Sequence, residues 1–148
     1  MSSSDPAAEA AALFTGGYSC AQAVLAACAP ALGLDRATAL RLASSLGAGL
    51  GGLRETCGAV TAMAAVLGLR HGGTEPMDAK TKAALYQEVQ TAIADFDATF
   101  ATHNCRELLR RASIDKQAGV APEERSAAYY AKRPCEAFVR FCAQRALQ

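Results

Sequence analysis

Apolar residues recur along this chain at the three- and four-residue spacing of helices, and the alternation expected of strands is scarce. With a composition rich in Ala and Leu, the pattern predicts an all-α chain. A first helix should span Pro6 to Phe14, with Ser4 or Asp5 as cap, Pro6 in its first turn and Gly16-Gly17 at its end. A second starts at Ser19, where Gln22 gives the Ser-x-x-Gln form of a capping box, and Pro30 and Gly33 bring it to an end. Asp35 caps a third helix that reaches about Leu46, and residues 47–52, rich in glycine, read as a flexible connector. Thr56 is the expected cap of a fourth helix, from Cys57 to about Leu69. The longest helix runs from Asp78 to about Thr102, with Leu85, Val89, Ile93, Phe96 and Phe100 as its buried stripe. Asn104 caps a short helix, and Glu107 should complete a second capping box. Residues 113–122 read as a loop and residues 123–132 as a helical piece. Pro134 opens the last helix, whose apolar side is Phe138, Phe141 and Leu147. The expectation is a single-domain compact helical bundle over residues 1–148, of about six or seven helices, with residues 1–5 flexible.

Half the residues are apolar, enough for a core that needs no staples. A net charge of +1 lacks the electrostatic footprint of a nucleic-acid binder, so no nucleic acid is expected as partner. The N-terminus has no basic region followed by an apolar stretch, and the longest apolar runs are too short to span a bilayer. The expected setting is cytoplasmic, without membrane insertion, where thiols stay mostly reduced. No strand-preceded dinucleotide fingerprint, phosphate loop, Ser-His-Asp pattern, paired-carboxylate motif or HExxH is present, so neither a nucleotide nor hydrolase chemistry is expected.

Six cysteines change the picture. Cys20, Cys57 and Cys105 each follow an expected cap, and Cys135 follows Pro134, so four of the six open four separate helices. Cys28 and Cys142 fall mid-helix, where a buried thiol serves as a small hydrophobe, with an auxiliary redox role as the competing reading. A helix start offers unpaired N–H groups and the positive end of the dipole, which favour a thiolate and lower its pKa. Arg54, Arg106 and Lys132-Arg133 stand next to these cysteines in the chain and should add to that effect. There is no Cys-x-x-Cys, so a zinc ribbon and a thioredoxin-type motif are absent, and without Cys-x-x-Cys-His no c-type haem is expected. If the four thiolates meet, tertiary folding must bring them together, and their repulsion must be relieved by a metal or by disulfide bonding. A four-thiolate site accepts zinc or an iron–sulfur cluster. His103, two residues before Cys105, reads as a solvated helix end, with an alternate ligand or proton shuttle as the competing role. Tyr18 reads as a packed aromatic that could shield Cys20.

The text Gly17-Tyr18-Ser19-Cys20-Ala21-Gln22-Ala23-Val24, then Thr56-Cys57-Gly58-Ala59-Val60-Thr61, Asn104-Cys105 and Pro134-Cys135 resembles the redox-active family named for the pattern C-GCAxxG-C-C. This chain reads Cys-Gly-Ala where the name gives Gly-Cys-Ala, and Ala62 stands where the last Gly of the motif falls. The family is similar to the non-haem part of split-Soret cytochromes, and that likeness implies an iron–sulfur centre in a haem-free version. Cys20, Cys57, Cys105 and Cys135 are therefore the candidate ligands of an iron–sulfur cluster or metal, or the exchanging thiols of a redox protein. The work would be electron transfer or redox sensing with a redox partner protein. The alternative is a structural zinc module acting in protein interaction, with a helical interaction domain as a third reading. A second copy of the chain is among the partners the sequence allows.

Overall fold

The structure, a computed structural model, describes residues 5–148. Ser4 and residues 1–4 of the segment expected to be flexible lie outside the described residues. Among those described there are eight α-helices and no strand: α1 (Pro6–Thr15), α2 (Cys20–Cys28), α3 (Arg36–Ala43), α4 (Gly58–His71), α5 (Ala79–Phe100), α6 (Cys105–Arg111), α7 (Ala127–Lys132) and α8 (Cys135–Ala146). Among the described residues no helix is long and apolar enough to cross a membrane.

Helix α2 is the centre. Ala21, Ala23, Val24, Leu25, Ala26 and Cys28 are all buried, an apolar surface almost all round, and α1, α3, α4 and α8 pack against it. Its small residues let neighbours come close. A methyl on Gly58, at the start of α4, would lie 3.3 Å from both N and Cβ of Ala21 and 3.0 Å from the Leu46 carbonyl oxygen. Helix α4 can therefore begin beside the start of α2, which brings Cys57 toward Cys20. Helix α8 packs on α1, α2 and α4, and Phe96 and Phe100 of α5 stack edge-on with Phe138 and Phe141 of α8 at 4.9–5.7 Å.

Side-chain caps form where the chain's Asp, Ser and Asn residues precede helices. Asp5, Ser19, Asp35, Asp78 and Asn104 each accept a backbone N–H from the first turn. Ser19 and Gln22 make both bonds of the capping box. Six expectations are corrected. Helix α3 ends at Ala43, and the chain then enters a turn in which residues 48–52 all have positive φ, from 53° at Ala48 to 83° at Gly52. That turn is held by backbone bonds from Arg54 to Ala48 (3.0 Å) and Glu55 to Gly49 (2.8 Å), so the expected loose connector has a defined, left-handed path. Thr56 does not cap α4. The backbone there runs antiparallel to the segment before α6, with Cys57 donating to His103 (2.8 Å) and Cys105 to Glu55 (2.6 Å), and Cys57 itself occupies the cap position. Glu107 completes no box, because its carboxylate pairs with Arg110 and the Asn104 N–H goes to Thr102 instead. Residues 123–126 stay outside α7, since Glu123 pairs with Arg133 and Arg125 is drawn onto aromatic rings. In α5 only Ala92 and Phe96 are buried; Leu85, Val89, Ile93 and Phe100 are half-covered, because a 22-residue helix of about 33 Å outruns the α4 and α8 surfaces it packs on.

Candidate functional site

Cys20, Cys105 and Cys135 are the first residues of α2, α6 and α8, and Cys57 is the cap of α4. All four line one cavity of about 100 Å³, together with Arg54, Arg125, Arg133, Glu123, Tyr129 and Phe138. The local reasons differ. The Ser19–Gln22 box fixes the start of α2, and the Gln22 amide reaches on to the Leu40 carbonyl at 3.0 Å. The antiparallel bridge between Thr56 and Asn104 sets Cys57 and Cys105 side by side. Pro134 ends the approach to α8 and leaves Cys135 in the first turn.

The electrostatics single out one sulfur. Cys135 is held below the ordinary thiol value by a hydrogen bond from Cys20, and the positive charges of Arg133, Arg125 and Arg54 add to this against the cost of burial. Cys20 is held well above it, because its proton is shared with Cys135, because it is buried, and because Cys135 carries negative charge beside it. Burial pushes Cys57 to about 12, although the N–H groups of Val60 and Ala59 bond its sulfur. Burial also raises Cys105, against the pull of the Arg54 guanidinium 3.8 Å from its sulfur. The expectation that all four helix-start thiols ionise easily is therefore corrected: at three of them desolvation or a neighbouring thiolate outweighs the helix dipole.

The cations expected from the sequence are borne out in part: Arg133 lines the cavity and favours the Cys135 thiolate. Arg54 reaches Cys105 rather than Cys57, and Arg106 does not line the cavity. Arg133 does, with its side chain only 4% exposed, stacked on Tyr129 at 4.7 Å and paired with Glu123. Arg125 went unread in the sequence. Its guanidinium lies 5.1 Å from the Phe14 ring and 4.7 Å from that of Tyr129, and donates to the Tyr18 carbonyl at 3.3 Å. The one sequence signal for it is an aromatic four residues on, the spacing at which side chains on a helical turn meet.

Cys28 and Cys142 are wholly buried; Cys28 donates to the Ala143 carbonyl, and burial raises both thiols, Cys28 to about 12. The His103 ring meets Asp97 at 3.0 Å and does not line the cavity. Tyr18 packs against the core. Among the described residues no group of three or more His, Cys, Asp or Glu side chains could hold a metal ion.

Residues 18–148 match the family described as "Putative redox-active protein (C_GCAxxG_C_C)". The chain belongs to this family. The match begins two residues before Cys20 and takes in all six cysteines and every helix from α2 to α8. The chain is thus a cysteine-rich, all-α member of the C_GCAxxG_C_C family, named for redox activity. No curated protein and no solved structure matches it significantly.

Proposed function

We propose that this protein is a dithiol redox protein in which Cys135 and Cys20 cycle between two thiols and a disulfide. The observation that carries the reading is geometric: the first residues of α2 and α8 line one cavity with three arginines, and there the two thiols push each other's acidities apart. The Cys135 thiolate attacks one sulfur of a disulfide substrate and forms a mixed disulfide, and the first substrate sulfur leaves as a thiolate that takes up a proton. Cys135 then no longer carries charge and no longer accepts the Cys20 proton. The hydrogen bond and the charge that held Cys20 protonated are both gone, while Arg133, Arg125 and Arg54 remain. Cys20 can now ionise and attack the Cys135 sulfur, expelling the second substrate sulfur. Two protein thiols have become one disulfide, and one substrate disulfide has become two thiols. Cys57 and Cys105 stay neutral thiols in the cavity wall.

The test is thiol counting on reduced protein handled without oxygen. Mild oxidation by bis(2-hydroxyethyl) disulfide should consume two of the six thiols, and peptide mapping should find Cys20 joined to Cys135. Cys20→Ser should trap the mixed disulfide on Cys135, and Cys135→Ser should abolish it. Visible absorption with stoichiometric iron, tightly held zinc, or a different cysteine pair would overturn the reading; the first two outcomes favour a cluster or a structural zinc site on the same four cysteines.

A further inference from the structure

We infer that the cavity selects disulfide substrates carrying a small anionic group such as a carboxylate; this rests on the dithiol reading above. Three guanidinium groups, from Arg54, Arg125 and Arg133, line a cavity whose carboxylate, Glu123, is already paired with Arg133 and Lys116. One thiolate on Cys135 leaves positive charge in excess. Arg133 is almost wholly buried and already paired with Glu123, so the donors still open to a ligand are those of the other two arginines.

Arg54 is the more telling residue. Its Nε is buried with no hydrogen-bond partner, and one terminal nitrogen meets only the Cys105 sulfur at 3.8 Å. A guanidinium carries five N–H donors, and planar oxyanions match its fork. The backbone at Arg54 has φ 59°, a left-handed conformation that is strained for an L residue. Glycine would occupy that position without the cost, so what arginine adds there is its side chain, aimed into the cavity. Arg125 is set on the rings of Phe14 and Tyr129 with a single hydrogen bond, to the Tyr18 carbonyl. Its remaining donors are available as well. An anionic group seated on Arg54 and Arg125 would lie within the same cavity as the Cys135 sulfur.

The charge argument has a sharp signature. A bare thiolate repels an anionic disulfide and attracts a cationic one, so only the arginines can reverse that order. Reduced protein is oxidised by three small disulfides of opposite charge: 3,3′-dithiodipropionate, bis(2-hydroxyethyl) disulfide and cystamine. Each rate is divided by the rate of the same disulfide with 2-mercaptoethanol, which removes intrinsic reactivity. The dianionic probe should react at least about tenfold faster than the dicationic one at low salt, and the ratio should shrink as salt is added. Arg54→Gln and Arg125→Gln should each lower that ratio, whatever they do to the absolute rates, and Arg54→Lys should restore most of it. A ratio of one or below, or a ratio unmoved by both glutamine variants, overturns the inference. If the neutral probe fails to join Cys20 to Cys135, the dithiol reading falls first and takes this inference with it. A neutral probe that joins them, with no charge preference among the three, removes this inference alone.

Discussion

Two glycines with left-handed backbones allow the energetic role of the turn beneath Arg54 to be measured. Gly33 has φ +91° and Gly49 φ +68°, so alanine at either suffers a similar conformational penalty of about 1–2 kcal/mol. The space around them differs. A methyl on Gly33 meets nothing within 4 Å, whereas one on Gly49 would lie 2.5 Å from the Arg54 Cα, 2.6 Å from the Glu55 nitrogen and 2.7 Å from the Arg54 carbonyl carbon. Those are backbone atoms, which cannot swing aside, so the turn must move at a further cost of roughly 1–3 kcal/mol. Gly33→Ala should therefore destabilise by about 1–2 kcal/mol and Gly49→Ala by about 2–5 kcal/mol. For a chain of this length each kcal/mol corresponds to roughly 2–4 °C in Tm. Urea denaturation followed by circular dichroism, with the slopes compared, gives the two values. A second readout is local. Moving Arg54 away from Cys105 removes the guanidinium that opposes its burial, so the pH at half-maximal alkylation of Cys105 should rise in Gly49→Ala and stay put in Gly33→Ala. Equal losses in the two variants, with Cys105 unchanged in both, would refute the claim that this turn aims Arg54.

Ser19→Ala removes one bond of the capping box at the start of α2 and should cost about 1 kcal/mol, read as a thermal shift of a few degrees. Stability at alkaline pH follows from the buried thiols. Cys28 ionises near 12 in the folded protein but near the ordinary thiol value when unfolded, so its contribution is complete below that ordinary value and is lost as pH rises toward 12. Urea midpoints of reduced protein should therefore fall as pH rises above about 9 toward 12, and Cys28→Ala should flatten that fall; an unchanged slope would contradict it.

Caps and helix order were legible because they are local: an Asp, Ser or Asn side chain finds an N–H two or three residues away whatever the rest of the chain does. Thr56 misled for the opposite reason, since its segment is claimed by a bridge to Asn104, far along the chain. The stripe on α5 was sound in period and misleading in depth, because the burial of Leu85 depends on how far α4 and α8 extend. The helix-start positions of Cys20, Cys57, Cys105 and Cys135 could be read from flanking residues. Their acidities could not, because desolvation and the Cys20–Cys135 hydrogen bond exist only once α2, α4 and α8 are packed. Arg125 escaped for the same reason: nothing local tells that residues 113–126 fold back to set it over Phe14.

The seating of α8 against α1, α2 and α4 has a consequence for the ribosome's timetable. Cys20 and Cys135 are separated by roughly 115 residues, so at ordinary elongation rates Cys20 waits roughly 6–23 s for Cys135 to be made. During that interval the central helix has an open flank, and the thiols already synthesised, at positions 20, 28, 57 and 105, have only one another as neighbours. Any oxidation then would join a pair that excludes Cys135. A reducing surrounding during synthesis, or a chaperone over the open flank of α2, would protect the chain until α8 arrives, and its arrival both closes the core and brings Cys135 into the cavity with the other three cysteines.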